Sequence, residues 1–346
     1  MSVRAAIVVW FAWIALPGAH AGDAARRTVA TPAELASALR SAKPGDTLVM
    51  ADGVWNDADL LFEGDGADGK PITLRAQTPG KVVLSGRSRL RIAGSYLVVD
   101  GLCFRDGFFE GQVIEFRRDS KKLSDHCRLT NTAVLDYNPP DPKADSRWVG
   151  LYGKQNRVDH CDLAGKTNVG TTLVVWVGDE PNGHRIDHNR FGPRPPLGEN
   201  GGETIRIGTS DVSMRNSRTI VEHNLFQECS GEAEIISVKS CENVLRYNTF
   251  VGCGGALTLR HGNRNTVEGN WFFGDGKKGT GGVRVIGEDH KVFNNYFHEL
   301  TGDKARAALS IMNGLPDSLL SGYLQVKRAI VAFNTFVNCR QSILVG

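Results

Sequence analysis

Glu232 and Glu234 stand two residues apart in the segment Cys229-Ser-Gly-Glu-Ala-Glu-Ile-Ile-Ser-Val-Lys-Ser240. In an extended strand, residues two apart share a face, so both carboxylates project from one side. Like charges that close repel unless a cation sits between them. Two readings stand level on spacing alone. One is a hard cation held by oxygen ligands, calcium above all. The other is a solvated acidic edge balanced by nearby Lys and Arg. Lys239 has the opposite parity to both Glu residues, so the strand must bend or turn between them for all three to share a site.

Lys239, Arg260 and Arg284 follow at separations of 21 and 24 residues. If that distance is one coil of a repeat, the three cations stack on one face of neighbouring rungs. Arg260 and Arg284 each lie between apolar neighbours and are expected to point outward. Arg206, in Ile205-Arg-Ile207, extends the row. Stacked cations call for an anion lying across them, and a polyanionic chain suits them better than a neutral sugar. A solvated basic stripe is the plainer alternative, and the Glu pair next door weighs against it.

The repeat that must position these groups is written in Asn-x-Phe. It occurs at Asn189-Arg-Phe191, Asn224-Leu-Phe226, Asn248-Thr-Phe250, Asn270-Trp-Phe272, Asn295-Tyr-Phe297 and Asn334-Thr-Phe336, with Asn spacings of 35, 24, 22, 25 and 39. Short alternating segments such as Ala256-Leu-Thr-Leu-Arg260 read as half-buried strands, with Gly and Asn supplying left-handed turns. Coils of about 22–25 residues built only of strands and turns predict an all-β, right-handed parallel β-helix. One helix is expected, over 32–42. Thr31 is its N-cap, Pro32 its first residue and Glu34 completes a capping box, while Leu35, Ala38, Leu39 and Ala42 form its apolar face. It is read as an N-terminal capping helix over the open end of the solenoid. Over-long coils mark loop insertions at 137–147, 193–202 and 300–327, the kind that wall a groove. The chain ends at Gly346 soon after a repeat motif, so further coils are expected beyond it.

Of 346 residues, 40 are Gly, which disfavours long helices, and the net charge of +3 is too small for a nucleic-acid footprint. Residues 1–21 read as a signal peptide: Arg4, an apolar run from Ala5 to Leu16, and Ala19-His-Ala21 as the cleavage site. Beyond them no apolar run is long enough to span a membrane. Residues 22–346 are expected to form one exported domain, periplasmic or secreted. Seven cysteines without a CxxC pair argue against a zinc site and favour small buried thiols, with one disulfide left open.

Four segments at one-coil spacing then resemble polysaccharide lyase family six, which contains alginate lyases and chondroitinase B. They are Asn200-Gly-Gly-Glu-Thr-Ile-Arg-Ile-Gly208, Gly231-Glu-Ala-Glu-Ile-Ile-Ser-Val-Lys-Ser240, Leu259-Arg-His-Gly262 and Gly281-Gly-Val-Arg-Val-Ile-Gly287. The resemblance covers essentially the whole mature chain. It implies a calcium site on Asn200, Glu232 and Glu234, Lys239 as base, Arg260 on the acid side, and substrate contacts from His261, Arg284 and Arg206. The implied reaction is β-elimination at a uronic acid, with alginate as the leading substrate and dermatan sulfate second. An alginate C5-epimerase and a non-catalytic β-helix binding protein are the remaining readings. A glycoside hydrolase is disfavoured, because two carboxylates adjacent on one strand leave no room for a sugar between them.

Overall fold

Short strands separated by tight turns follow one another along the chain, and each coil gives one strand to each of three sheets. The computed structural model describes residues 24–198 and 200–346; the signal peptide read at 1–21 lies outside them. Among the described residues two sheets have 12 strands and one has 11. Neighbouring strands are parallel and in register: Val221 pairs with Leu245, Leu245 with Val267, and Val267 with Val292. This is the expected parallel β-helix, with a core of one continuous apolar column.

The Asn-x-Phe motif explains the register. Each Asn sits inside the coil, where its side-chain oxygen accepts from the backbone N–H of the motif Asn one coil earlier. The bonds run from Asn189 N to Asn224, Asn224 N to Asn248, Asn248 N to Asn270, Asn270 N to Asn295 and Asn295 N to Asn334, at 2.9–3.1 Å. The side-chain amide donates in turn to a strand carbonyl one coil back, as Asn248 does to Val221 at 2.9 Å. A buried amide left unpaired would cost about 1–3 kcal/mol, so each one dictates where the next coil lies. The Phe residues form a second ladder. Phe191, Phe226, Phe250, Phe272, Phe297 and Phe336 stack at centroid distances of 4.5–5.0 Å.

The predicted helix is present but shorter than expected, at Pro32–Leu39. Thr31 caps it, accepting from Glu34 N at 3.2 Å, while Glu34 accepts from Ala30 N at 2.8 Å. Leu35 joins the core. Among the described residues all seven cysteines are free thiols, six of them buried, and no helix is long and apolar enough to cross a membrane.

Asn248→Ala, in the middle of the ladder, removes the acceptor for Asn224 and the donor to Val221. It is expected to lower the unfolding free energy by about 2–4 kcal/mol, as measured by urea denaturation. A loss below ~0.5 kcal/mol would contradict the role given to the ladder.

Candidate active site

The Glu234–Lys239 strand departs from regular pairing twice. Glu234 pairs with Ala256 and Ile236 with Leu257, which leaves Ile235 as an extra residue. Val238 then pairs with Leu259 and Lys239 with His261, which leaves Arg260 extra on the Ala256–His261 strand. Two bulges therefore compensate each other across one strand pair. The first answers the parity conflict: skipping Ile235 puts Glu234 on the face of Ser237 and Lys239, and the Ser237 hydroxyl donates to the Glu234 carboxylate. The second makes the candidate acid-side residue itself a bulge residue, the position at which side chains are commonly re-aimed beside active sites.

The row of outward cations is corrected by this register. The row reads Arg206, Ser237, Thr258, Arg284, Ser310, with Lys239 opposite His261 and outside it. Arg284 does not face solvent. It is buried and donates to Glu234. Arg260 is also partly buried, with its Nε 3.7 Å from the same carboxylate. Glu234 thus lies between two guanidinium groups. Arg206 is half-buried, its guanidinium 5.5 Å over the Trp176 ring and its Nε without a partner. Among the described residues no carboxylate lies within ion-pair range of Lys239.

Glu232 takes a different environment. Its Oε2 accepts from Gly201 N at 2.9 Å and Gly202 N at 3.2 Å. Burial, then the Glu203 carboxylate, and more weakly Glu234, push its pKa up to about 7. Glu203 is buried and its Oε2 has no partner. Asn200 and Glu232 line one cavity of 720 Å³ together with Glu228, Lys277, Lys278 and Arg306. Of the proposed metal ligands, Asn200 and Glu232 meet there, while Glu234 turns to the arginines. Among the described residues no three His, Cys, Asp or Glu side chains are gathered closely enough to hold a metal ion as they stand.

On the Lys239 side, Arg260 is clasped by the 300–327 insertion. Its Nη1 donates to the Gly322 carbonyl at 2.7 Å, its Nη2 to Ser321 at 3.1 Å, and Tyr323 lies 4.6 Å beneath the guanidinium. Nη1 also donates to His261 Nε2 at 2.8 Å. A guanidinium only donates, so this nitrogen accepts and the neutral ring carries its proton on Nδ1. His261 Nδ1 is buried without a partner. Burial, then the charges of Arg260 and Lys239, lower the His261 pKa to about 4. Sequence reasoning missed Glu203, Ser237 and Tyr323. Glu203 stood within a quoted motif without a role, Ser237 became visible only through the bulge, and Tyr323 lies in an insertion with no repeat to align it.

A family model described as Chondroitinase B matches residues 29–346. Among solved structures, the chain is 50% identical to the family-six alginate lyase AlyGC, with a TM-score of 0.87 over 88% of this chain and 43% of that one. It is 38% identical to a mannuronic-acid-specific family-six lyase from human gut microbiota, with a TM-score of 0.86 over 93% and 76% of the two chains. A family-six polysaccharide lyase from Pseudopedobacter saltans is 31% identical, with a TM-score of 0.77 over 92% and 81%. The chain therefore spans less than half the length of the first of these. No curated protein matches it.

His261 is expected to stay neutral from pH 8 down to pH 5, with its proton on Nδ1, as followed by nitrogen NMR of the imidazole. The unfolded ring titrates near 6.5 and the folded one near 4, so the unfolded state binds the proton more readily. This residue's share of stability is therefore lost as the pH falls from 6.5 towards 4. A folded-state transition near pH 6.5 would contradict the assignment.

Proposed function

The chain belongs to the Chondroitinase B family, polysaccharide lyase family six, and on that premise we propose that it cleaves alginate by β-elimination. The observation that carries this reading is the placing of Lys239. Among the described residues it is a lysine without a carboxylate in ion-pair range, at the end of the strand that Glu234 begins and one rung from a fixed Arg260. Alginate is favoured over dermatan sulfate because the relatives at 50% and 38% identity are an alginate lyase and a mannuronic-acid-specific lyase.

The proton on C5 of a uronate lies next to a carboxylate and is weakly acidic, since its loss adds charge to an anion. In the proposed reaction Lys239, as the free amine, takes that proton. The electron pair left on C5 forms the C4=C5 double bond as the C4–O4 bond breaks. Arg260, held in one orientation by Gly322, Ser321 and Tyr323, stabilises the departing O4, which takes its proton from Arg260 or from water. His261 accepts from Arg260 and so helps to fix the guanidinium beside Lys239. Arg284 and Arg260 hold the Glu234 carboxylate in place.

Calcium is the proposed cofactor. The raised pKa of Glu232, caused first by burial and then by two neighbouring carboxylates, and the unpartnered Glu203 Oε2 support this reading. The donors there are carboxylate and amide oxygens, the type a hard cation takes. Asn200 and Glu232, which line one cavity, would hold it, with Glu234 joining them on turning from Arg260 and Arg284. When bound, the ion would neutralise the uronate carboxylate. Export to the periplasm or medium is proposed from the sequence of residues 1–21.

The protein is expected to raise the absorbance of alginate solutions near ~235 nm, where a C4=C5 unsaturated uronate absorbs, and a chelator should suppress the rise. Lys239→Ala and Arg260→Ala should each reduce kcat by about 10³-fold or more with the fold retained. Near-normal turnover by Lys239→Ala would overturn the assignment of the base. A rise on dermatan sulfate alone would replace alginate by the second substrate.

A further inference from the structure

Arg194 is 1% exposed, and among the described residues no carboxylate lies within ion-pair range of it. Its guanidinium is satisfied mainly by main chain. Nη1 donates to the Glu203 carbonyl at 2.8 Å and to Thr172 Oγ1 at 3.3 Å. Nη2 donates to the carbonyls of Gly170 at 2.7 Å, Asn168 at 3.0 Å and Gly201 at 3.2 Å. Nε has no partner. Burial lowers its pKa to about 10, opposed first by Glu203, so the group stays cationic at neutral pH. Burying an arginine without a carboxylate is costly, and an apolar side chain would fill the same space more cheaply.

Its contacts lead to the acidic corner. The Gly201 carbonyl that accepts from Arg194 belongs to the same peptide unit as the Gly202 N–H, and that N–H donates to Glu232. Arg194 therefore polarises and orients a peptide group whose other end holds the carboxylate. The packing leaves no slack. A Cβ on Gly231 would lie 2.2 Å from the Gly202 carbonyl oxygen and 2.7 Å from Arg194 Nε. The segment fixed in this way runs from Asn200 to Glu203, and Arg194 is the most deeply buried arginine among the described residues.

We propose that Arg194 is a positioning residue: by tying down the Gly201 and Glu203 carbonyls it fixes the Asn200–Glu203 segment against Glu232 and supplies the internal cation beside which those carboxylates gather. A residue that merely held the coils together would act equally on every rung. Arg194 acts locally, on the acceptors of 168–172 and 201–203.

The test uses the full chain with Arg194→Met, which keeps length and removes charge, and Arg194→Lys, which keeps charge and cannot span both segments. Hydrogen exchange, read by mass spectrometry, is expected to quicken at least ~10-fold over 200–203 in Arg194→Met and by less in Arg194→Lys, with the 244–246 and 266–268 rungs unchanged. Calcium affinity by calorimetry is expected to fall about 10–100-fold in Arg194→Met, as for groups that orient metal ligands. Exchange over 200–203 within about twofold of the parent would overturn the proposal, and so would equal loosening of all rungs or loss of the fold in both variants. The calcium arm rests on the function proposed above, whereas the exchange arm needs no metal. A parent protein that binds no calcium yet shows the expected exchange pattern would remove the calcium reading and leave the positioning role supported.

Discussion

A file of buried asparagine amides sets the spacing on which everything else depends. Each amide carries two donors and an acceptor into the interior, where it is met by the backbone and amides of its own and the adjoining coils. Leaving them unmet costs more than the fold can readily spare, so the coil cannot slip by a residue without breaking the whole file. The stacked Phe ladder fills the volume beside it. With coil height fixed, residues separated by 26 to 62 positions are brought to one place: Arg260 reaches Glu234, Arg284 reaches Glu234, and Gly322 reaches Arg260.

Against that regular background the site is an irregularity confined to one pair of strands. The bulge at Ile235 turns Glu234 outward, and the bulge at Arg260 restores the register while re-aiming a guanidinium. Charge is then sorted along the strand. At its start, Glu232 and Glu203 crowd at one corner, with Glu234 turned to Arg260 and Arg284. At its end, Lys239 has no counter-ion among the described residues, and His261 is held neutral beside two cations. The acidic end suits a cation and an anionic sugar together, and the basic end suits removal of a proton from that sugar. The insertion over 300–327 contributes by fixing Arg260 from above rather than by adding a charge.

The fold was legible because its determinant is a repeated word. Asn-x-Phe recurs with both of its functions, the amide file and the ring stack, visible in residue type alone, and the capping residues of the one helix were equally plain. Glu232, Glu234 and Lys239 were singled out by spacing, but their parity conflict was not resolvable, since a bulge depends on how two strands pair. The same limit explains the supposed row of outward arginines. Separations of 21 and 24 residues suggest a stack, yet one inserted residue moves Arg260 out of register with Arg284. Arg194 was invisible for another reason. A basic residue in a proline-rich loop reads as solvated, and only tertiary packing shows it buried against five acceptors.

The most direct test of the account is proton NMR of alginate incubated with the full chain in deuterated water. Elimination with Lys239 as base predicts a vinylic signal from the new C4=C5 end, shorter chains, and no deuterium at C5 of the remaining residues. Deuterium entering C5 of unbroken chains would mean that the proton is taken and one returned to the ring, as in an epimerase, and unaltered alginate from folded protein would mean that the site does not perform this chemistry. Either result would contradict the lyase assignment.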